Sequence, residues 1–475
     1  MPKNILILFT DQQRRDTIHA LGNDAIQTPA LDSIANCADV YDRAYTPSPV
    51  CVPARMSMLS GQYPARTGCT NNNLNLAYTG KGLYATLTDA GYQSCCVGKM
   101  HHVTDYYGSI GFSERHTQEE LSHPDDDYTK FILENYPEVF DYNGVRGEMY
   151  YVPQVSQLPP KAHPTQWVGD RCVEFIEKVE TDKPFFLFSS FIHPHPPFCP
   201  PAPWNKLYRE ELDPPFRPDL YDEFEPLLHK RFGTTNMGTS DRDLYRLKNH
   251  YYACVSFVDY QIGRILDALK ARGLYEDTLI VFATDHGEML GDYGVMGKRT
   301  MLEPAAHIPF MIKHPGQEQQ TRRDNLASLV DLAPTLLSYA GIDYDPAEFD
   351  GIDLYAEQPA DRLLYAQYAT GKKGGYMVTD GERKLIYNAP NDRYYYFDAM
   401  PEVEDKYDPA DPAVQALKEK LDAYRASEVI FTGEVKSAEG STGGSNNKHY
   451  PTRMDHIMRR EEEAGAIPEG YTIDL

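Results

Sequence analysis

The sequence predicts an α/β fold, with a large, mostly parallel sheet flanked by helices and a small C-terminal antiparallel sheet carrying its own helix. Three observations predict it. Short apolar runs alternate with amphipathic stretches as far as Ala340. Polar residues capable of chemistry stand at the C-terminal ends of those runs. After Tyr344 the texture changes to short strand-like pieces separated by turn signals such as Asp380-Gly381. Buried strands alternating with helices are the signature of a parallel sheet covered on both faces.

The first run, residues 4–9, ends in Thr10-Asp11-Gln12-Gln13 and reads as a buried strand that delivers polar groups at its end. Gln93–Val97, Phe185–Phe191, Leu279–Thr284 and Ile308–Ile312 follow the same plan. Helical spacing covers Pro29–Ala38, Leu83–Ala90, Trp167–Val179, Arg242–Arg272 and Leu326–Ala340, and a short helix after Cys51 closes at Gly61. Open parallel sheets gather ligands beyond the C-terminal ends of their strands, which is where Asp11, Lys99, His195 and Asp285 fall. Tyr365–Tyr368, Gly375–Val378, Lys384–Tyr387 and Arg393–Phe397 predict the small sheet, and about Pro412–Ser427 its helix. The expected division is 1–343 for the larger α/β domain and 344–475 for the smaller subdomain and tail. Gly440–Asn447 reads as a flexible loop. The acidic tail around Glu461-Glu462-Glu463 is expected to wrap the main domain or a second subunit, which leaves room for a homo-oligomer.

Composition narrows the function. A formal net charge of −24, from 70 acidic against 46 basic residues, argues against a nucleic-acid partner, because phosphate-backbone binding is driven by Lys and Arg. It does not disfavour a small anion, which needs only a local positive field. No signal peptide is visible, and no apolar run approaches the roughly 20 residues a membrane helix needs. The eight cysteines are scattered without a CxxC pair, as in a reducing compartment. The expectation is a cytoplasmic protein with no membrane partner.

Three groups of residues carry chemistry. In the first, Cys51 is followed by Pro53 and Arg55, then by Leu59, Gly61 and Pro64. A lone cysteine is most often a buried thiol; it can also serve as a thiolate nucleophile or be converted to something else. In the second, Asp11-Gln12 and Asp285-His286-Gly287-Glu288 each follow an apolar strand. Two carboxylates, an amide oxygen and a histidine from two strand ends can ligate one divalent ion; oxygen ligands favour Ca²⁺ or Mg²⁺, and the histidine admits Mn²⁺. The third is basic: Gly98-Lys99-Met100-His101, Pro194-His195-Pro196-Pro197-Phe198 and Gly297-Lys298. A metal, two lysines and a histidine suit a transition state in which negative charge gathers on a departing oxygen.

Cys51-Val52-Pro53-Ala54-Arg55 resembles the signature of type I sulfatases, with Ala54 where many members have Ser. In that family the cysteine is oxidised to formylglycine. The three basic segments resemble the family's Gly-Lys-x-His, Pro-His-x-Pro-Phe and Gly-Lys motifs, in the family's order. The resemblance runs through about residues 4–340, and more weakly through the C-terminal sheet. It implies an alkaline-phosphatase-like sandwich and one metal, calcium first, on Asp11, Gln12, Cys51, Asp285 and His286. Many members have Asp-Asp where this chain has Asp11-Gln12. It further implies that Arg55 orients the nucleophile and balances the carboxylates, that Lys99 contacts sulfate and nucleophile, and that His101 acts as a base. His195 and Lys298 would bind sulfate and serve the leaving oxygen, with His193 as a decoy. Asn72 follows the nucleophile helix where related hydrolases have an anion-contacting asparagine, though a turn residue would look the same.

The activity expected from the resemblance is sulfuric ester hydrolysis on a small-molecule or saccharide sulfate ester, after maturation by a formylglycine-generating enzyme. The runner-up is a phosphonate monoester or phosphodiester hydrolase using the same nucleophile and metal. The third reading is a non-catalytic scaffold of the same fold, which the intact Lys99, His101, His195 and Lys298 disfavour. Tyr106-Tyr107, Tyr150-Tyr151 and Phe198–Trp204 are candidates for an aryl- or sugar-binding wall, with loop packing the expected role for most of them.

Overall fold

The structure, a computed structural model, describes residues 3–72, 81–102, 107–209, 212–219, 221–228 and 232–429. The expected Gly440–Asn447 loop and the acidic tail lie outside them. Eight strands form the main sheet: β1 (Asn4–Asp11), β2 (Asp39–Tyr45), β3 (Gln93–Gly98), β4 (Glu114–Thr117), β5 (Phe185–Pro194), β6 (Thr278–Thr284), β7 (Phe310–Lys313) and β8 (Thr321–Ser328). Their order is β4-β3-β5-β1-β6-β7-β2-β8. Only β7 among them runs antiparallel to its neighbours.

Strand β1 lies at the centre because it is apolar on both faces. Ile5, Ile7 and Phe9 point into one core layer and Leu6 and Leu8 into the other, as the two-residue period of a strand requires. The first layer is closed by α2 (Cys51–Ser60), α4 (Leu83–Asp89) and α9 (Leu332–Ala340), with the single turn α3 (Pro64–Thr67) following α2. The second is closed by α1 (Pro29–Ala35), α5 (Asp127–Asn135), α6 (Pro164–Lys178) and the 31-residue α7 (Asp241–Ala271). The short α8 (Glu303–Ala306) leads into β7.

Register brings the strand ends level. Thr10 pairs with Thr284, Gly98 with Ser190, and a bulge between Thr10 and Asp11 sets Asp11 opposite Pro194. Asp11, Lys99, His195 and Asp285 therefore emerge at one edge of the sheet. Gly98 makes this close approach feasible: its φ is +98°, and a Cβ there would lie 1.9 Å from the Ser190 carbonyl oxygen.

Strands β9 (Leu364–Tyr368), β10 (Gly375–Thr379), β11 (Lys384–Asn388) and β12 (Arg393–Phe397) form the antiparallel second sheet. Helix α10 (Pro412–Ala426) seats Val414, Leu417 and Leu421 against Tyr376, Val378 and Leu385. No described helix is long and apolar enough to cross a membrane.

Several expectations need correction. Leu326–Ser328 are the end of β8, not the start of a helix; a 3₁₀ turn at Leu329–Asp331 intervenes, and α9 begins at Leu332. Helix α1 stops at Ala35, and β7 is Phe310–Lys313 rather than Ile308–Ile312. Strands β2, β4 and β8 and helix α5 were not foreseen. Thr321-Arg322-Arg323-Asp324-Asn325 is polar because β8 is an edge strand, partly open to solvent, and so shows no apolar run.

Candidate active site

Cys51 opens α2, a helix buried along its whole length and closed by Gly61 in the left-handed conformation. Its residue 50 cap offers no side-chain acceptor. Asn72 supplies one: its Oδ1 accepts the Val52 N–H at 3.1 Å. The sulfur of Cys51 faces His286 Nε2 at 3.2 Å and Asp11 Oδ1 at 3.8 Å. Burial, then the Asp11 carboxylate, push the thiol up to about 12, so the surroundings alone keep it protonated and unreactive.

Donor atoms of Asp11, Cys51, Asp285 and His286 all lie within 4.8 Å of one another, and all four residues are buried. His286 Nδ1 donates to the Gly287 carbonyl at 2.9 Å, which leaves Nε2 as a lone pair turned inward. Burial holds this imidazole down at about 4, hence neutral. Two buried carboxylates, a neutral imidazole nitrogen and position 51 fit a small divalent cation. Gln12 is placed differently. Its Oε1 accepts from Lys298 Nζ and its Nε2 donates to Glu288, while its backbone N–H donates to Asp285 Oδ1 at 3.0 Å.

Positive charge surrounds the carboxylates. Arg55 Nε reaches Asp285 Oδ2 and Nη2 reaches Asp11 Oδ2, each at 3.1 Å, and Nη1 donates to the Lys99 carbonyl at 2.8 Å. Lys99 Nζ lies 2.7 Å from Asp11 Oδ2 and 3.2 Å from Glu120 Oε2. Burial alone would raise Asp11; the cations Lys99, Arg55 and Lys298 outweigh it and hold the carboxyl well below its usual range. His195 Nδ1 donates to the Pro196 carbonyl at 2.7 Å, and its Nε2 faces Tyr150 Oη at 3.4 Å and Glu120 at 3.8 Å. Burial and the nearby lysines push it well below its usual value. His101 sits behind Lys99 at φ +57°, its backbone N–H on Glu119 at 3.2 Å, and burial lowers it strongly as well. His193 belongs to another network, on Thr165 Oγ1 at 3.0 Å with Cys199 beyond.

A cavity of 280 Å³ opens over this edge, lined by Asn72, Glu120, Arg146, Tyr150, His195 and Lys298 among others. The fold thus brings together Asp11, Cys51, Arg55, Lys99, Asp285 and His286, and places His195, Lys298 and Asn72 on the adjoining cavity. Three residues given no role from sequence, Glu120, Arg146 and Glu288, complete it, together with the suggested Tyr150 and Tyr151. Glu120 bridges Lys99 and Arg146, the latter at 2.8 Å. Tyr150 and Tyr151 both line the cavity. Glu288 is fully buried and accepts from Gln12 Nε2, Tyr151 Oη, Leu290 N and Gly297 N. Its position in Asp285-His286-Gly287-Glu288 was the available signal. Of the other suggested aromatics, Tyr107 stacks on His123 at 4.5 Å, and Tyr106 lies outside the described residues.

The model of the sulfatase family matches residues 3–342. The chain belongs to the sulfatase family. A second model, the C-terminal region of N-sulphoglucosamine sulphohydrolase, matches residues 291–408. This sulfatase is 27% identical to the arylsulfatase of Clostridium perfringens over 486 residues, covering 96% of this chain and 100% of that protein. It is 30% identical to the choline-sulfatase of Rhizobium meliloti over 377 residues, 74% of this chain and 70% of that protein. Among solved structures, the phosphonate monoester hydrolase of Agrobacterium radiobacter superposes with a TM-score of 0.76 over 90% of this chain and 96% of that one; at 23% identity this shows a shared alkaline-phosphatase-like fold. The sulfatase is a sulfuric ester hydrolase.

Proposed function

We propose that this sulfatase cleaves a sulfate monoester with a formylglycine made from Cys51, beside one divalent cation held by Asp11, Asp285, His286 and residue 51. The observation that carries this is the placement of Cys51, on a helix N-terminus and within ligand distance of His286 and Asp11. A hydrated aldehyde there supplies two hydroxyls on one carbon, one to attack sulfur and one whose deprotonation expels sulfate. A cation there supplies positive charge to the oxygens that become negative; calcium is the first expectation, with Mn²⁺ or Mg²⁺ admitted by the His286 nitrogen.

The chain's own groups do the rest. Arg55 fixes Asp11 and Asp285 so that both keep an oxygen toward residue 51. Lys99 and Lys298 place ammonium groups beside the sulfate position, where preorganised charge acts in a water-poor site. His195 has its Nδ1 tied to Pro196, so only Nε2 faces the cavity. It is neutral in the free site, and the negative charge of a bound ester raises it toward protonation. The donor to the leaving alcohol therefore forms with the substrate, assisted by Lys298. His101, behind Lys99, is the proposed base for the elimination. A maturation enzyme that oxidises Cys51 is required. The eight unbridged cysteines support the cytoplasmic address.

The test compares Cys51→Ala with wild-type protein whose Ala44–Arg55 peptide mass shows conversion of Cys51. Turnover of 4-nitrophenyl sulfate should vanish with the unfolding transition unchanged; retention of activity would remove the mechanism. A second reading, phosphonate monoester or phosphodiester hydrolysis, is favoured by the neutral donors Gln12 and His286. Matched aryl sulfate and phosphate diester substrates separate the two by their kcat/KM ratio.

A further inference from the structure

A second cavity of 170 Å³ adjoins the active-site cavity, and Arg299 lines both. The chain diverges at that point. Arg299 has φ +73° and donates its backbone N–H to the Pro49 carbonyl at 3.2 Å. Lys298 lines the first cavity, whereas the Arg299 guanidinium lies over the Tyr368 ring at 5.8 Å, on the boundary between the two. The far wall belongs to the C-terminal sheet.

Three features of the second cavity point to one ligand class. Its cations are Arg299 and Lys373, and no carboxylate is among its described lining residues, although the chain as a whole carries −24. Its floor mixes apolar Leu227 and Ile386 with the Tyr368 ring, a surface suited to the apolar face of a pyranose. Asn388 commits its amide nitrogen to Pro226 O at 3.1 Å and Asn391 Oδ1 at 2.7 Å, leaving its oxygen to accept a hydroxyl. The first cavity, at 280 Å³, already has room for a single ring and its sulfate. An aryl or choline-sized ester would have no use for the second.

We propose that the second cavity is a subsite for the sugar next to the sulfated one, and that it selects a neighbour bearing a further anion, carboxylate or sulfate, held by Arg299 and Lys373. This names the substrate of the reading above as an anionic oligosaccharide and rests on that reading.

Lys373→Glu tests it. Lys373 is exposed on the 3₁₀ turn Gly371–Lys373, so its replacement does not threaten folding. Four substrates are compared on the full chain: 4-nitrophenyl sulfate, a monosulfated neutral disaccharide, its uronate counterpart and its disulfated counterpart. Wild type should show its highest kcat/KM on the charged disaccharides. The variant should raise their KM about tenfold with kcat kept, the size of one charge-assisted contact. The aryl and neutral substrates should stay within about twofold. The uronate and disulfate arms show which anion is read. Wild type without preference for charge, or a variant equally impaired on all four, would overturn the subsite. If no sulfate is turned over at all, it is the catalytic reading that fails. Calorimetry with the unsulfated uronate disaccharide then decides the subsite: binding weakened about tenfold in the variant supports it, and equal or absent binding overturns it.

Discussion

At the scale of single residues, Glu288 illustrates how much of the site is orientation rather than contact with substrate. Its Oε1 takes the Leu290 and Gly297 N–H groups, and its Oε2 takes Gln12 Nε2 and Tyr151 Oη. A carboxylate has no donor to offer, so the Gln12 amide must turn its nitrogen to Glu288 and its oxygen inward to Lys298. In Glu288→Gln the Oε1 contacts survive, but two NH₂ groups then face each other. The Gln12 amide is expected to flip and Lys298 to lose its acceptor. kcat should fall about 10- to 100-fold, the usual consequence of misplacing a reacting group by an ångström. The double variant Gln12→Glu with Glu288→Gln restores a matched donor and acceptor and should recover much of the loss. No recovery would show that Glu288 serves only packing. Residues of this kind explain what the sequence could and could not tell. Cys51, Asp11, Lys99 and Asp285 were legible because each ends an apolar strand or opens a helix in a recognisable string. Glu120 and Arg146 lie in segments without periodicity, and only the fold brings them to the cavity.

At the scale of elements, α2 and β5 each carry a testable dependence. Asn72 caps the start of α2 through the Val52 N–H, so Asn72→Ala should cost about 1 kcal/mol in denaturant unfolding and lower kcat by loosening residue 51. Unchanged stability with only KM raised would make Asn72 a substrate contact and nothing more. On β5, burial lowers His193 from 6.5 to about 4, and His102 is lowered to about 3 in the same way. Between those values and 6.5 the unfolded chain binds protons that the folded chain does not. Stability is therefore intact above pH 6.5 and falls as pH drops toward 4, by roughly 3 kcal/mol at most for His193. His193→Gln should flatten that slope; parallel wild-type and variant curves would assign acid sensitivity to other groups. The elements themselves were legible where both faces are buried, as in β1, β5 and β6. They were not where one side meets water: β8 is too polar to show an apolar run, and its last residues, Leu326–Ser328, matched the helical spacing of α9.

At the scale of the whole molecule, the question is whether the two sheets unfold together. The division at residue 343 follows a real change in strand pattern, yet one core crosses it. Met289, Tyr293, Met301 and Leu302 pack with Leu364, Met377, Ile386 and Phe397. At its edge Lys384, wholly buried on β11, lies 2.6 Å from Glu303 and 2.5 Å from Glu402 and donates to the Met301 carbonyl at 3.0 Å. Replacing Lys384 by Met leaves two buried carboxylates without their cation, which costs about 3–5 kcal/mol. Because Met301 closes the loop that presents Lys298 and Arg299, the same change should also lower kcat/KM. The wild-type protein should melt in one transition. Trp167 and Trp204, the only two tryptophans, report the main domain, while hydrogen exchange in β9 to β12 reports the second sheet. Coincident protection is expected from a shared core and a shared buried charge cluster. A second sheet that opens well before the tryptophans respond would mean that the cluster fastens a loop and not two halves of one folding unit, and the Lys384→Met loss should then be confined to β9–β12.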